Sequence, residues 1–354
     1  MTTTTQAPAL WYTRCPVPTA SGIAQNRRWL HASFAEVGVR LDSVISSSDR
    51  AVRESHFRHS LPGSFREGGN VPPIWTRSRG QDTVVVAITW VDEQQLVLVR
   101  PDSGLRSVED LRGRRIGLPR QADSELVDVG RAESLRGLTT ALRLAGVPRD
   151  AVEWVDVRAP EWDLREPDPT RPPAPARHLL VDALLAGDVD AVFLKGTSSV
   201  AALDEGLVPV LDLNEQPDPM LRISAGSPRP VTVDRATLAA TPELVDRYLA
   251  VLLRTAEWAR RHPDEVVGTI AAETGADEQT VRRAFGPDLH LAFEPTLGDT
   301  VVDALRDQKD WLLAEGFIAD DVDLDAWIDP TVLDRARPLA ATLRLGTEEP
   351  AGAA

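Results

Sequence analysis

The segment 9–45 constrains the fold most, because it alternates a strand, a helix and a second strand. Residues 9–13 have strand character, and Ser21 is placed to cap a helix that runs to about Val37. Gly38 stands where a helix usually ends, and residues 39–45 roughly alternate as a strand. Two strands joined by a helix form a right-handed βαβ unit. This predicts an α/β fold whose ligand site lies at the carboxyl ends of the strands.

The only cysteine of the chain, Cys15, follows the first predicted strand, and Pro16 and Pro18 prevent regular structure after it. One cysteine excludes an intrachain disulfide and a thiolate-rich zinc site, and it suits a reducing cytoplasm. A free thiol at the end of a strand is a candidate nucleophile, which reacts as the thiolate. The alternative is that Cys15 is an inert, small buried side chain, and the residue type alone does not decide between a reactive and an inert cysteine.

A second group of polar residues lies in the segment 55–69, where His56 is followed by Arg66, Gly68 and Gly69. A guanidinium offers a fixed fork of donors to a two-oxygen anion, and glycine lets backbone N–H groups approach the same oxygens. An imidazole can accept a proton from a thiol or orient it. These residues predict a site for a small organic anion, although a plain turn and a hydrogen-bonded histidine remain structural alternatives. His59 is the other candidate for the role of His56.

The rest of the chain predicts two lobes. Strands are expected at 83–88 and 95–99, the second leading to the first of two crossings between lobes, and a returning strand is expected at 220–224. We therefore expect a discontinuous first lobe, residues 1–102 and 216–354, which carries Cys15, His56 and Arg66. The second lobe is residues 103–215.

Two hydroxyl residues, Thr197 and Ser198, follow a predicted strand of the second lobe. At that place they can contact a ligand through their side chains or amides. A plain helix cap is the alternative, and it is the more common use of these residues.

Charge and hydropathy exclude several classes of partner. The net charge of −15 disfavours nucleic acids and anionic membranes, which both require a basic surface. No apolar run approaches the roughly 20 residues that span a membrane, and residues 1–8 lack the basic and apolar regions of a secretory signal. We expect a cytoplasmic protein. No His or acidic pair has metal-ligand spacing, so we expect no metal and no cofactor; nothing in the sequence specifies an oligomeric state.

The motifs Cys15-Pro16-Val17-Pro18, His56-Phe57 and Arg66-Glu67-Gly68-Gly69, followed by Pro72-Pro73, resemble those of the 2'-hydroxybiphenyl-2-sulfinate desulfinase family. The similarity continues at a modest level through most of the chain. It implies a type II periplasmic-binding-protein-like fold, in which each lobe is a mixed sheet flanked by helices and the active site lies in the cleft between lobes. It also implies cofactor-free hydrolysis of the carbon–sulfur bond of an aryl or related sulfinate, with release of sulfite.

The resemblance implies roles for single residues as well. Cys15, His56 and Arg66 match catalytic or sulfinate-binding residues, and the backbone at Gly69, beside Gly68, helps hold the sulfinate. In one mechanism the Cys15 thiolate attacks sulfur and water releases sulfite from a thiosulfonate intermediate. In the other, the Cys15 thiol protonates the ring carbon and sulfur dioxide departs.

Two other functions share the fold. A solute-binding protein for a small organic anion is the main alternative, and the absence of an export signal in the sequence weakens it. A relative of the thiamin-pyrimidine synthases is the other, but that group uses a cysteine-rich motif and iron.

The stretch 130–136 departs from the family pattern, since it lacks the tryptophan that faces a biaryl substrate. Trp75, Trp11 and Trp90 are the candidates for another apolar wall.

Overall fold

The computed structural model describes residues 9–13, 15, 17–44, 46–121, 125–159 and 178–345. The predictions for residues 1–8, Pro16 and Ile45 concern residues outside this set. The strands in chain order are β1 (Ala9–Thr13), β2 (Arg40–Ser43), β3 (Ser64–Glu67), β4 (Thr83–Thr89), β5 (Gln95–Val99), β6 (Arg115–Gln121), β7 (Glu153–Ala159), β8 (Ala191–Lys195), β9 (Val208–Asp212) and β10 (Arg229–Asp234).

The helices alternate with these strands and then form a C-terminal group. They are α1 (Ala20–Asn26), α2 (Trp29–Ala35), α3 (Arg50–Arg58), α4 (Val71–Ser78), α5 (Val129–Leu144), α6 (Leu179–Ala186), α7 (Gly196–Asp204), α8 (Arg235–Ala240), α9 (Pro242–Ala259), α10 (Pro263–Thr274), α11 (Glu278–Phe285), α12 (Asp299–Ala314), α13 (Leu324–Trp327) and α14 (Pro330–Thr342). None of the helices among the described residues combines the length and the apolar character needed to cross a membrane.

The first sheet has the strand order β2-β1-β3-β10-β4. β1 runs parallel to β2 and β3, whereas β10 is antiparallel to β3 and β4. The parallel pair β1–β2 confirms the predicted βαβ unit. The single helix expected between them is two helices, because Arg28 takes a left-handed conformation with φ of 60° and interrupts the helical path.

The second sheet has the order β7-β6-β8-β5-β9, with β6 parallel to β7 and β8 and with β5 antiparallel to its two neighbours. Each sheet is therefore mixed and flanked by helices, which confirms the predicted α/β class. Strand β5 pairs only with β8 and β9, although the expected bounds placed it in the first lobe. We propose that the first crossing between lobes lies before Gln95.

Two further strand assignments need correction. The returning strand expected at 220–224 is wrong: Pro219–Arg222 is a 3₁₀ turn, begun by Asp218, whose carboxylate accepts from Met220 N at 2.9 Å. The returning strand is β10, a few residues later. Strand β3 was not expected at all, and it carries Arg66.

The first sheet is covered by the long helix α9, together with α1, α2 and α14. Phe65 of β3 stacks on Tyr248 of α9, with ring centroids 4.1 Å apart, and both side chains are fully buried. This packing fixes β3 firmly in the middle of the sheet. The residue after Phe65, Arg66, therefore occupies a rigid position.

Candidate functional site

Cys15 lies just beyond the end of β1 and is half-buried. The chain after it enters α1, whose first amides are satisfied from β3: the Glu67 carboxylate accepts from Ala20 N at 3.2 Å and from Ser21 N at 2.7 Å. Thr19 adds a side-chain cap by accepting from Gly22 N at 2.9 Å. The segment that carries the thiol is thus held against the end of β3.

Arg66 is next to Glu67 on β3, paired in register with Thr13 of β1, and its side chain is only 2% exposed. Its Nη1 donates to Gly69 O at 2.9 Å, and its Nε lies at 3.5 Å from His56 O, the limit for a hydrogen bond. Burial lowers the pKa of Arg66 to about 10, and the electrostatic interaction with Cys15 partly opposes this lowering. The side chain is a cation at neutral pH, and in the described part of the chain no carboxylate forms an ion pair with it.

Gly68 and Gly69 allow two close approaches. A Cβ at Gly68 would lie 3.1 Å from Cys15 Cβ, 3.2 Å from Cys15 Sγ and 3.8 Å from Arg66 Nη1. The Cys15 thiol and the Arg66 guanidinium therefore both lie close to the Gly68 backbone. A Cβ at Gly69 would lie 2.5 Å from Ala225 O, so no other residue fits there. No hydrogen bond among the described residues uses the Gly69 N–H.

The loop 224–228, which returns from the second lobe, is fixed against Gly69 by the buried side chain of Asn70. Asn70 Nδ2 donates to Ser224 O at 2.7 Å and to Pro228 O at 3.0 Å. Asn70 N donates to Ala225 O at 3.0 Å. These three hydrogen bonds hold the backbone after Gly69 against the loop 224–228.

The two candidate histidines differ in how their ring nitrogens are used. His59, which ends α3, places Nε2 3.1 Å from Ser64 O and Nδ1 3.3 Å from Thr232 Oγ1, so both nitrogens are engaged. His56 Nδ1 is buried and has no hydrogen-bond partner among the described residues. Burial, and then the nearby Arg66 charge, lower the pKa of His56 to about 3. His56 is thus a neutral imidazole with one unused ring nitrogen, whereas both ring nitrogens of His59 are engaged.

A second buried cluster of charges lies where the lobes meet. Lys195, at the end of β8, places Nζ 2.9 Å from Glu93 Oε1 and 3.3 Å from Glu133 Oε2. Glu93 precedes β5, and Glu133 lies on α5 within the stretch 130–136. Burial disfavours the charged form of Lys195, but the carboxylates of Glu133 and Glu93 raise its pKa above the usual value. Sequence reasoning missed this cluster, although Lys195 and Lys309 are the only lysines.

No described contact joins the remaining candidates, Trp75, Thr197 and Ser198, to Cys15. Trp75 is a buried residue of α4, with the Arg79 guanidinium 5.1 Å from its ring centroid, and it lines a surface cavity of about 200 Å³ beyond the C-terminal half of that helix. Thr197 and Ser198 are half-buried in the first turn of α7, where neither caps the helix. Among the described residues, no group of three or more His, Cys, Asp or Glu side chains is arranged to hold a metal ion.

Comparisons with known proteins identify relatives of similar sequence and similar fold. No protein-family model matches the chain. It is 29% identical to the 2'-hydroxybiphenyl-2-sulfinate desulfinases of Rhodococcus erythropolis and Rhodococcus qingshengii, over 92% of this chain and 93% of each relative. A crystal structure of a Cys-to-Ser variant of DszB in complex with biphenyl-2-sulfinic acid matches with a TM-score of 0.75 and 25% identity, covering 94% of this chain and 99% of DszB.

A solute-binding protein has a similar fold. The periplasmic sulfonate-binding protein SsuA from Methylobacillus flagellatus matches with a TM-score of 0.72, covering 95% of this chain and 96% of SsuA. At 16% identity this match concerns the fold alone. It confirms the predicted periplasmic-binding-protein-like architecture.

Proposed function

We propose that this homologue of the 2'-hydroxybiphenyl-2-sulfinate desulfinases is a hydrolase that cleaves the carbon–sulfur bond of an organic sulfinate and releases sulfite. One observation carries the proposal: Arg66 is a buried cation that pairs with no carboxylate among the described residues, and it lies beside the only cysteine. A buried charge without a counter-ion is costly, so an anionic ligand would complete the site.

The sulfinate would take the position in front of Gly68 and Gly69. There the Arg66 fork and the Gly69 N–H donate to its two oxygens. His56, neutral at physiological pH, orients the thiol or accepts its proton. These roles of Cys15, His56, Arg66, Gly68 and Gly69 are supported by the matching motifs and by the packing of the thiol on Gly68.

Two bond-breaking sequences use this arrangement. In the first, the Cys15 thiolate attacks the sulfinate sulfur, the carbon–sulfur bond breaks, and the organic group leaves with the thiol proton. Water then hydrolyses the cysteine–SO₂⁻ adduct to sulfite and regenerates the thiol. In the second, Cys15 protonates the carbon, sulfur dioxide departs and is hydrated to sulfite, and the released proton restores the thiol. Both require no oxidant or reductant.

The organic group of the substrate would differ from the biphenyl of the DszB complex. In the stretch 130–136 this chain has no tryptophan, and its Glu133 is an ion-pair partner of Lys195. Without a tryptophan in this stretch the second lobe offers no aromatic ring there to pack on a biaryl, which favours a sulfinate with a smaller organic group. Trp75, Thr197 and Ser198 are weaker candidates for substrate contact because no described contact joins them to Cys15 or Arg66. A cytoplasmic location stays a prediction from the sequence.

The proposal is tested by measuring sulfite release from 2-hydroxybiphenyl-type, simpler aryl and alkyl sulfinates, without added metal or cofactor. We expect turnover of at least one of them, and we expect Cys15→Ser to lower kcat by at least about a thousandfold, because the reacting group is lost. The variant should keep its fold and its affinity for the sulfinate. Retained activity would remove Cys15 from the mechanism. Thermal stabilisation by sulfinates without any sulfite release would instead indicate a binding protein.

A further inference from the structure

Arg229, the first residue of β10, is a second buried guanidinium near the thiol, and the motif comparison does not point to it. Its side chain is fully buried. Its Nη1 donates to Pro18 O, in the loop that follows Cys15, and its Nε donates to Gly226 O at 2.7 Å. Gly226 belongs to the loop whose neighbour Ala225 touches Gly69. One side chain therefore joins the thiol loop to the loop behind the glycines.

We propose that Arg229 is a positioning residue that holds the Cys15 loop against the proposed sulfinate site and stabilises negative charge on the thiol sulfur. This inference deepens the proposed function and rests on it for the identity of the substrate. The Arg229 guanidinium donates one hydrogen bond to a backbone oxygen of each loop, and these two hydrogen bonds fix the position of the Cys15 loop relative to the loop that contains Gly226. A lysine, with its single nitrogen, cannot reproduce this arrangement.

The charge of Arg229 is only partly neutralised. Its Nη2 makes no hydrogen bond to any residue that the structure describes, and it lies 3.7 Å from Glu93 Oε1, which already accepts from Lys195 at 2.9 Å. Burial lowers the pKa of Arg229, and the charges of Glu93, Cys15 and Glu67 oppose this effect. Since the negative charge of Glu93 is shared with Lys195, Arg229 retains a net attraction for a thiolate.

Other charged groups surround the two arginines. Cys15 interacts with both Arg66 and Arg229, Glu67 and Glu93 act on Arg229, the neutral His56 lies near Arg66, and the pair Lys195 and Glu133 lies beyond Glu93. Arg66 is the group expected to bind the sulfinate. Arg229, which points at backbone oxygens, would act on the thiol in every step, whether or not a sulfinate is bound.

The test uses the single cysteine as its own probe. The rate constant for alkylation by iodoacetamide is measured against pH for the full-length protein, because only the thiolate reacts. We expect Arg229→Gln to slow alkylation at pH 7 by about tenfold, because the sulfur loses a nearby positive charge. At high pH, where every thiol is ionised, the rates of the two proteins should converge. Arg229→Lys keeps the charge and should slow alkylation by less than about threefold.

A second variant gives a change of opposite sign. Glu93→Gln removes the carboxylate that offsets Arg229, so alkylation at pH 7 should become about threefold faster. Arg247→Gln is the matched control: Arg247 of α9 also joins two elements, since its Nη1 donates to Ser33 O at 2.9 Å and lies 3.2 Å from Glu36 Oε2, but it has no described contact with the Cys15 loop. It should leave the alkylation profile unchanged while it lowers stability.

Turnover separates positioning from substrate binding. In both Arg229 variants kcat for sulfite release should fall by at least about tenfold with KM nearly unchanged, since Arg66 still holds the anion. A folded Arg229→Gln protein with the wild-type alkylation profile would overturn the proposal. If Arg229→Gln does not fold, an unchanged profile in Glu93→Gln would overturn it equally. Alkylation needs no sulfinate, so these results stand even if no sulfinate is turned over.

Discussion

Arg66 and Lys195 are both buried cations, but their surroundings differ. Lys195 Nζ lies between two carboxylates, at 2.9 Å from Glu93 and 3.3 Å from Glu133. Arg66 has no ion-pair partner among the described residues and donates to the carbonyl oxygen of Gly69. Cys15, which lies with Arg66 beside Gly68, opposes the lowering of the Arg66 pKa by burial.

The difference shows how function can be separated from stability in this molecule. A buried cation with two counter-ions is complete and contributes to the junction of the lobes. A buried cation without a counter-ion costs free energy of folding, and a bound anion recovers that free energy. We therefore propose a structural role for the Lys195 cluster and a ligand-binding role for Arg66, and we expect opposite consequences of substitution at the two positions.

The largest effect is expected at Arg66. Arg66→Gln should lower kcat/KM for sulfite release by about a thousandfold, because the sulfinate loses its charged donor in a buried site. Arg66→Lys keeps the charge without the fork, and should lower kcat/KM by at least about tenfold. Urea unfolding should show no loss of stability in Arg66→Gln, since a buried charge without a partner is removed. Wild-type kinetics in Arg66→Lys would show that Arg66 does not hold the anion.

The opposite pattern is expected at Lys195. Lys195→Met leaves Glu133 without its cation and Glu93 with only Arg229, 3.7 Å away, which should lower the free energy of unfolding by about 3 kcal/mol. Sulfinate affinity should change by less than about threefold. Glu133→Gln is the matched control, because Lys195 then keeps Glu93 and the loss should be about 1 kcal/mol. A loss below about 1 kcal/mol in Lys195→Met would contradict a structural role for the cluster.

Several features of the site could be predicted from residue type and spacing. Cys15 at the end of a strand, and Arg66 with two glycines after it, were expected to form an anion site. The strand that carries Arg66 could not be predicted, because β3 has four residues, Ser64–Glu67, all of them buried, with no alternation of apolar and polar side chains. Its pairing with β1 and β10, rather than its own sequence, makes it a strand.

Arg229 could not be predicted for a related reason. Its contact with Pro18 joins residues 211 positions apart, and the sequence around it carries no motif. The break between α1 and α2 was also missed, because Arg28 takes a left-handed conformation that its residue type does not favour. Strand β3, the Arg229 contact and the break between α1 and α2 are therefore set by tertiary packing and not by local sequence propensity.

A smaller effect is expected from pH, and it concerns the histidines beside Arg66. Burial lowers the pKa of His56 from 6.5 to about 3, so the folded protein keeps it neutral. The contribution of the neutral His56 to the free energy of unfolding is fully present above the unfolded-state pKa of 6.5, and it is lost as the pH falls toward the folded-state pKa of about 3. At pH 5 this loss amounts to about 2 kcal/mol. His59, whose pKa is lowered to about 4 by its burial, acts in the same direction.

The measurement is urea unfolding at about pH 7.5 and about pH 5. In His56→Gln the decrease in stability between the two pH values should be about 2 kcal/mol smaller than in the wild-type protein. His290→Gln, which removes an imidazole outside this buried pair, is the control. An equal decrease in His56→Gln and in the wild-type protein would show that His56 is not kept neutral by the fold.

The most direct test of the central claim, that Arg66 is the unpaired cation that binds a sulfinate, is calorimetric titration with an aryl sulfinate in the Cys15→Ser background, where turnover is blocked. We predict that the Cys15→Ser protein binds the sulfinate. Adding Arg66→Gln to it should weaken this binding at least about hundredfold, whereas adding Lys195→Met instead should change the affinity of the Cys15→Ser protein by less than about threefold. Equal affinity with and without the Arg66 guanidinium would contradict the account.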